Sequence, residues 1–513
     1  MDTSEVLRKG WDKVSFIIRC LLVLCLALFV FYRDSIVNAC EAHVERQTVI
    51  IGIPCVFLLL YFPLLLGQTF RGRDYMALIF ALVCILLELS FPIYVYLAVI
   101  LFAVISIIVA YYTKFRNVMQ KPQKEVVGGL LLATMLAPAS VVAQPTAKEW
   151  NKDVVGWNLG NQLECSVKGF DGEATFIGLP EGSINAETAW GNPVITKEVI
   201  KAVKDAGFNA IRIPVRWQYH IADVKTMTVD KAWMARVKQV VDWCLQCDMK
   251  VMINTHHDKW LEGRPTYQYK EENNRMLALL WKNIANEFAK YDYRLAFAGT
   301  NEVHIKDNWG KPEPENLAVQ NSYNQTFIDA VRATGGNNAK RNLIVQTYVC
   351  NAEFGVDNGL IIPIDKKGNG NDYMTVEFHY YQPWDYAGEC KYNFWGEKFK
   401  QYGKIMDSSK EEEMIKFFER AARAWSDKGL GVTIGEWGVT DRKGEQIDKM
   451  HENMTYYCQL LVSEASRHGF STFVWDNNAF GGGPEFFGIF DRWDGMKVRA
   501  PWILQGIMGC KRQ

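Results

Sequence analysis

After residue 150 the chain alternates between short apolar or β-branched runs and amphipathic helical stretches. The runs fall at 154–159, 210–215, 250–254, 295–299, 343–347, 374–378, 432–434 and 472–475. Between most of them apolar residues recur at helical spacing, as in Trp233, Val237, Val240, Val241, Cys244 and Leu245, or Ile447, Met450, Met454, Tyr457, Cys458 and Leu461. Strand and helix in alternation predict the α/β class with a parallel sheet, and eight such units over about 360 residues predict a (β/α)8 TIM barrel enlarged by loop insertions. A doubly wound open sheet is the rival arrangement. It is disfavoured because no glycine-rich phosphate loop follows any of the runs.

Residues 1–143 have a different character. Long apolar runs at 16–32, 48–67 and 75–112, the last interrupted by Glu88 and Pro92, predict an all-α hydrophobic region of about four transmembrane helices within 1–118. Arg8, Lys9 and Lys13, then Arg71 and Arg73, then Lys114, Arg116, Lys121 and Lys124 all fall on the cytoplasmic side if the N-terminus lies inside. Residues 119–143 have the charged, apolar and small-residue regions of a secretory signal, with Val141 and Ala143 where a signal peptidase reads. This segment is therefore expected either to be cut after Ala143 or to remain as a fifth span. Both outcomes place 144–513, the barrel domain, outside the cytoplasm: periplasmic, at the cell surface or secreted. A leader behind four spans is unusual, and a start at Met119 would remove the oddity.

Composition narrows the function classes. The 57 basic and 57 acidic side chains cancel, which removes any global electrostatic case for a nucleic-acid binder. A hydrophobic content of 49% with 22% charged residues excludes a mainly disordered chain. All of the 17 tryptophans except Trp11 follow Ala143, an enrichment that points to surfaces stacking on flat ligands. The cysteines after Ala143 (Cys165, Cys244, Cys247, Cys350, Cys390, Cys458 and Cys510) lack paired zinc spacing, and core packing is the expected role of Cys244 and Cys247.

A TIM barrel makes a sharp demand: its chemistry sits at the C-terminal ends of the strands. The sequence meets it almost strand by strand, with Asn158 and Asn161 after the first run, Arg212 in the second, and His256, His257 and Asp258 after the third. Asn301 and Glu302 follow the fourth, His379 and Tyr381 the sixth, Glu436 the seventh, and Trp475 ends the eighth. Strands four and seven deliver their C-terminal ends to one barrel mouth, so Glu302 and Glu436 are placed to act as a carboxylate pair. Two carboxylates about 5 Å apart suit retaining glycoside hydrolysis, one as nucleophile and one as proton donor. Arg212 is the candidate cation for Glu436, and Tyr381 the candidate hydrogen-bond donor to it. Asn301 offers an amide to the sugar 2-hydroxyl, and Trp475 a floor under the reacting ring.

The motifs GWNLGN, AWGNP, GFNAIRIPVRW, VMINTHHD, LAFAGTNEVH, VEFHYY, TIGEWG and FVWDN together resemble glycoside hydrolase family 5, the cellulase and mannanase family of clan A, over about 153–502. The resemblance implies Glu302 as acid/base and Glu436 as nucleophile. It further implies Arg212, His256, Asn301, His379, Tyr381 and Trp475 as supporting residues, with His257 a second substrate contact. One departure is visible: Val303-His304 stands where the family often has Pro after the acid/base. The GWNLGN and AWGNP motifs resemble the endoglucanase branches, which implies a β-1,4-glucan substrate: cellulose, mixed-linkage β-glucan or xyloglucan.

Mannan is the competing backbone, and a non-catalytic, membrane-anchored glycan receptor is the competing class. A metal-dependent barrel hydrolase is a third alternative using His256, His257, Asp258, Glu302 and His379. It is disfavoured because such enzymes usually present a His-x-His pair at the end of strand one, where this chain has Asn158 and Asn161. No metal or cofactor is expected, and the catalytic domain is expected to be monomeric. Trp190, Trp217, Trp260, Trp309 and Trp384 are candidate platforms for successive sugars.

Overall fold

The computed structural model describes residues 144–167, 177–178, 185–368 and 370–510. The expected membrane region at 1–118 and the leader-like segment at 119–143 lie outside the described residues. Among the described residues no helix is long and apolar enough to cross a membrane.

Eight parallel strands close into a barrel: β1 (Val155–Asn158), β2 (Ala210–Ile213), β3 (Lys250–Asn254), β4 (Leu295–Ala298), β5 (Leu343–Gln346), β6 (Met374–Tyr380), β7 (Gly431–Trp437) and β8 (Ser471–Val474). Their order around the barrel is sequential, with β8 pairing to β1 and β1 to β2. The surrounding helices are α1 (Lys197–Asp205), α2 (Lys231–Gln246), α3 (Tyr267–Glu287), α4 (Pro314–Ala333), α5 (Glu411–Ala424), α6 (Ile447–Arg467) and α7 (Pro501–Gly509). Their starts follow local chemistry. Asp230 accepts the Trp233 N–H at 3.0 Å to cap α2, and Pro314, which has no N–H to satisfy, opens α4. Between β5 and β6 the described residues form short 3-10 turns, Tyr348–Cys350 and Ala352–Phe354, where the repeating unit has an α-helix elsewhere.

The core is in two parts. Apolar outward residues of the strands (Ile211, Ile253, Phe297, Val345, Phe378 and Ile434 among them) pack against the helices. Inside the barrel, Val154, Ala210, Met252, Ala296, Ala298, Ile344 and Phe473 form a separate cluster floored by Trp150. The alternating inward positions then turn polar towards the mouth: Asn158 after Gly156, Arg212 after Ala210, Asn254 after Met252, Gln346 after Ile344 and Glu377 after Thr375. A polar layer buried above an apolar floor holds its geometry only if every group finds a partner. That requirement builds the site.

Candidate active site

The position of Glu436 comes from a break in the β-strand period. Phe378 pairs with Ile434, but the next residue, His379, pairs with Glu436, so Gly435 is an extra, bulged residue on β7. Ile434 faces the helices. An unbroken period of two would have sent Glu436 the same way; the bulge turns it into the mouth. Gly435 is also required sterically, because a Cβ there would lie 1.7 Å from Glu377 Oε1. Asn158 Nδ2 donates to the Gly435 carbonyl at 2.9 Å, satisfying a backbone oxygen at the bulge.

Arg212 organises the layer. Its Nη1 donates to Glu436 Oε1 at 2.8 Å and to Asn158 Oδ1 at 3.0 Å, while Nη2 donates to Asn301 Oδ1 at 2.8 Å. Its Nε lies 3.1 Å from Glu377 Oε1. Since guanidinium only donates, the Asn301 amide must present its oxygen to Arg212 and its NH2 elsewhere. That nitrogen is buried without a protein partner. Burial works against the charge on Arg212, but Glu377 and Glu436 together hold it firmly protonated. Glu377 is buried too, and the Arg212 and His379 charges outweigh that burial to keep its carboxyl below the usual range.

Glu302 and Glu436 meet across this arginine. Carboxylate oxygens of the two and a ring nitrogen of His379 all lie within 4.8 Å of one another. His379 Nδ1 sits 2.6 Å from Glu302 Oε1 and 3.6 Å from Glu436 Oε2. Tyr381 donates its hydroxyl to Glu436 Oε2 at 3.2 Å. Glu302 is the more open of the pair, its side chain 22% exposed against 8% for Glu436, so a leaving group or water reaches it more readily. Burial raises the Glu436 carboxyl above its ordinary value and Glu302 adds to the rise, with His379 and Arg212 opposing. Burial alone would depress His379, yet the Cys350 thiol and both glutamates hold its proton well above the ordinary imidazole range. This trio has the spacing of metal ligands; Glu436 already accepts from Arg212 and Tyr381, and Glu302 Oε1 is engaged by His379 Nδ1.

The remaining expected residues divide. Asn254 Oδ1 accepts the Val215 N–H, which turns its Nδ2 to His256 Nδ1 at 3.1 Å. His256 Nδ1 is therefore the acceptor and Nε2 carries the proton, in keeping with the burial that holds the ring neutral. The Trp475 ring lies parallel to His256 at 5.9 Å, forming one wall of the mouth. His257 adjoins His256 at 4.3 Å and is anchored by its backbone N–H to Glu262 at 2.6 Å, one step outside the carboxylate pair. Asn161 is not among the hydrogen-bond partners of the glutamates. Its backbone N–H donates to Glu164 and its carbonyl accepts from Asn192, in a left-handed turn after β1. Asp258 accepts the backbone N–H groups of Trp217 and Gln218, a role in loop architecture. Of the candidate platforms, Trp309 and Trp384 are exposed and Trp190 is half-buried, whereas Trp217 and Trp260 are core residues at 0% and 2% exposure.

Some contributors were not anticipated. Glu377 was hidden inside VEFHYY, although a glutamate flanked by two core positions of one strand is itself a signal. Gln346 donates to Glu377 Oε2 at 2.6 Å, completing the layer from β5. Cys350 Sγ lies 3.4 Å from the Glu302 backbone nitrogen, and Glu302, Val349 and Cys350 all hold positive φ (43°, 53° and 51°). Backbone strain gathered at Glu302 and its support belongs to functional sites more than to packing. Val303 takes part through its carbonyl, which accepts the Val349 N–H at 3.0 Å, and His304 stacks on Trp309 at 3.9 Å. The cysteines after Ala143 are free thiols, with Cys165, Cys244, Cys350 and Cys458 buried.

Residues 171–481 match the family model of cellulase, glycosyl hydrolase family 5. Endoglucanase A of Paenibacillus barcinonensis is 32% identical over 367 residues, 69% of this chain and 87% of the relative. A broad-specificity endoglucanase from Ruminococcus champanellensis with bound cellotriose superposes with a TM-score of 0.61 at 30% identity, covering 71% of this chain and 99% of that one. A Bacteroides ovatus xyloglucanase in complex with a XXXG heptasaccharide gives 0.64 at 30% identity, over 72% and 78%. With the family model spanning more than half of the sequence, the chain belongs to glycosyl hydrolase family 5 and is a glycoside hydrolase.

Proposed function

We propose that the protein is a retaining endo-β-glucanase that cleaves β-1,4-linked glucans by double displacement. The observation that carries this is the spacing of Glu302 and Glu436, oxygens within 4.8 Å. Retaining enzymes need about 5–5.5 Å between carboxyl groups, and inverting ones about 6.5–9.5 Å to admit a water. Glu302 donates its proton to the glycosidic oxygen as Glu436 attacks the anomeric carbon. The leaving sugar departs with that proton, and a glycosyl ester remains on Glu436. Glu302, now a carboxylate, takes a proton from water; the water oxygen attacks the anomeric carbon and frees Glu436. Arg212 and Tyr381 hold Glu436 in position for attack, and His379 holds Glu302. Asn301 Nδ2, buried and unpartnered, is the donor for the 2-hydroxyl, whose contact strengthens as the ring flattens in the transition state.

An endo mode and a glucan backbone are supported by exposed tryptophans at the mouth and by the relatives. Endoglucanases, a xyloglucanase, and a lichenase in complex with cellotetraose stand among them. Glucan polysaccharide is thus the proposed partner. Export is part of the same reading, since polymeric glucan is met outside the cytoplasm. N-terminal sequencing that finds Gln144 first supports cleavage after Ala143, and a retained leader contradicts it. The substrate test is product analysis on cellulose, mixed-linkage glucan, xyloglucan and mannan. Reducing ends from the glucans are expected; reducing ends from mannan alone would replace the assignment, and none from any of the four would end it.

A further inference from the structure

The loop after β8 carries a tryptophan that the cleft described above does not use. Trp493 is 68% exposed, more than Trp309 at 52% or Trp384 at 41%. It stands in the turn of a short antiparallel ladder, Phe490–Asp491 with Lys497–Val498. So open an indole gives the fold little through burial, yet it is held in place. Its Nε1 donates to the Gly191 carbonyl at 3.0 Å, and its backbone N–H donates to Asp491 Oδ1 at 3.0 Å. Asp491 is itself paired with Arg499 at 3.2 Å. An aromatic face fixed in orientation and left in water suits a ligand platform and not a packing residue.

Its place is continuous with the cleft. Arg492 donates to the Gly160 carbonyl at 2.7 Å, and Gly160 lies against the Trp475 ring, where a Cβ would come within 2.8 Å of the indole. On the other flank, Gly191 follows Trp190, whose ring lies 5.9 Å from His257. Both supporting loops follow β1 and β8, and β8 stands opposite β4 in the closed order. Glu302 leaves β4 and delivers its proton to the departing sugar, so the aglycone extends on its side. Trp493 lies across the mouth, on the glycone side.

We propose that Trp493 is the stacking platform of a distal glycone subsite, taking a β-linked glucosyl unit further along the chain than the one over Trp475. The proposal rests on the glucanase reading given above. The apolar C–H face of a β-glucosyl ring is flat and needs only an equally flat, pre-oriented partner. Such a contact strengthens binding of long substrates and leaves short ones unaided.

The test compares kcat/KM for cellohexaose and cellotriose in the full-length wild type, Trp493→Ala and Trp493→Tyr. The alanine variant is expected to lower the hexaose-to-triose ratio by about 3- to 10-fold, and tyrosine to restore most of it. A ratio unchanged by Trp493→Ala in an active enzyme overturns the platform alone; a wild type inactive on every glucan overturns it together with the glucanase reading. Iodide quenching gives a readout independent of turnover when run on Glu436→Gln, which holds the ligand uncleaved, beside Glu436→Gln/Trp493→Ala. Cellohexaose should protect an indole of the first that cellotriose leaves quenchable and that the second lacks, and equal protection of the two by cellohexaose contradicts the proposal.

Discussion

Two arginines buried at opposite ends of the barrel show how one residue type serves two purposes. Arg341, just before β5, lies at the base and donates to the carbonyls of Asp292, Leu295, Phe288 and Tyr291 and to Asn338 Oδ1, at 2.7–3.1 Å. It ties chain ends together through neutral acceptors. Arg212, at the mouth, donates to Glu436, Asn158 and Asn301 and is ion-paired with Glu377. A guanidinium surrounded by carbonyls fixes backbone; one surrounded by carboxylates sets their charge and aim. Partners, and not burial, separate structure from chemistry here.

The largest effect should come from the mouth. Glu436→Gln keeps the shape and removes the nucleophile, with an expected loss in kcat/KM of at least about 10⁴-fold, measured on soluble mixed-linkage glucan. Replacing the two arginines tests the contrast itself. Arg212→Met should cost about 3–5 kcal/mol by stranding buried carboxylates and lower kcat at least about 10³-fold. Arg341→Met should cost about 3 kcal/mol through orphaned carbonyls with kcat per folded molecule retained. Chemical denaturation beside active-site titration separates the two, and a kcat loss shared equally by both variants breaks the distinction.

A smaller effect is expected from Gly435→Ala. The new methyl collides with Glu377 and must shift the bulge that aims Glu436. A displacement of about 1 Å at a reacting group costs about 10²-fold, so kcat should fall by that order while KM changes little. Wild-type kcat in this variant would show the bulge to be incidental.

The pH profile follows from the same electrostatics. Glu436 must be ionised to attack, and its carboxyl is raised above the ordinary 4.5. Activity is therefore lost as pH falls through a value higher than that of an exposed glutamate. On the basic side, the His379 proton, held well above the ordinary 6.5, orients Glu302 and must remain. Activity should persist beyond that pH and fall only as this proton leaves. His379→Ala should move the basic limb, and an unmoved limb denies His379 that part. The mildest change is Trp309→Ala, about 3-fold on long substrates with stability unaltered, because that indole is half open and supported mainly by His304.

Much of this was legible in the sequence because a TIM barrel puts its chemistry at strand ends, where Asn301-Glu302, His379, Glu436 and Trp475 stand in recognisable motifs. The eight strands were found within a residue or two, apart from β7, whose Gly431–Trp437 span exceeds the apolar core that marked it. What escaped depends on register across the barrel. Glu377, Gln346 and the bulge at Gly435 matter only because the strands bring them to one layer, and nothing local in the chain reports that pairing. Trp217 and Trp260 misled for the complementary reason: they sit in cleft loops by sequence, yet their rings fill the space between loop and helices. Trp493 is silent in the sequence because an exposed side chain leaves no hydrophobic pattern.

The most direct test of the central claim is the stereochemistry of the first product, followed by proton NMR before mutarotation. Attack by Glu436 at the observed spacing, followed by water from the opposite face that the aglycone has left, predicts that the new reducing end appears as the β anomer. An initial α anomer would mean a single displacement by water, and would contradict the role given to the two glutamates.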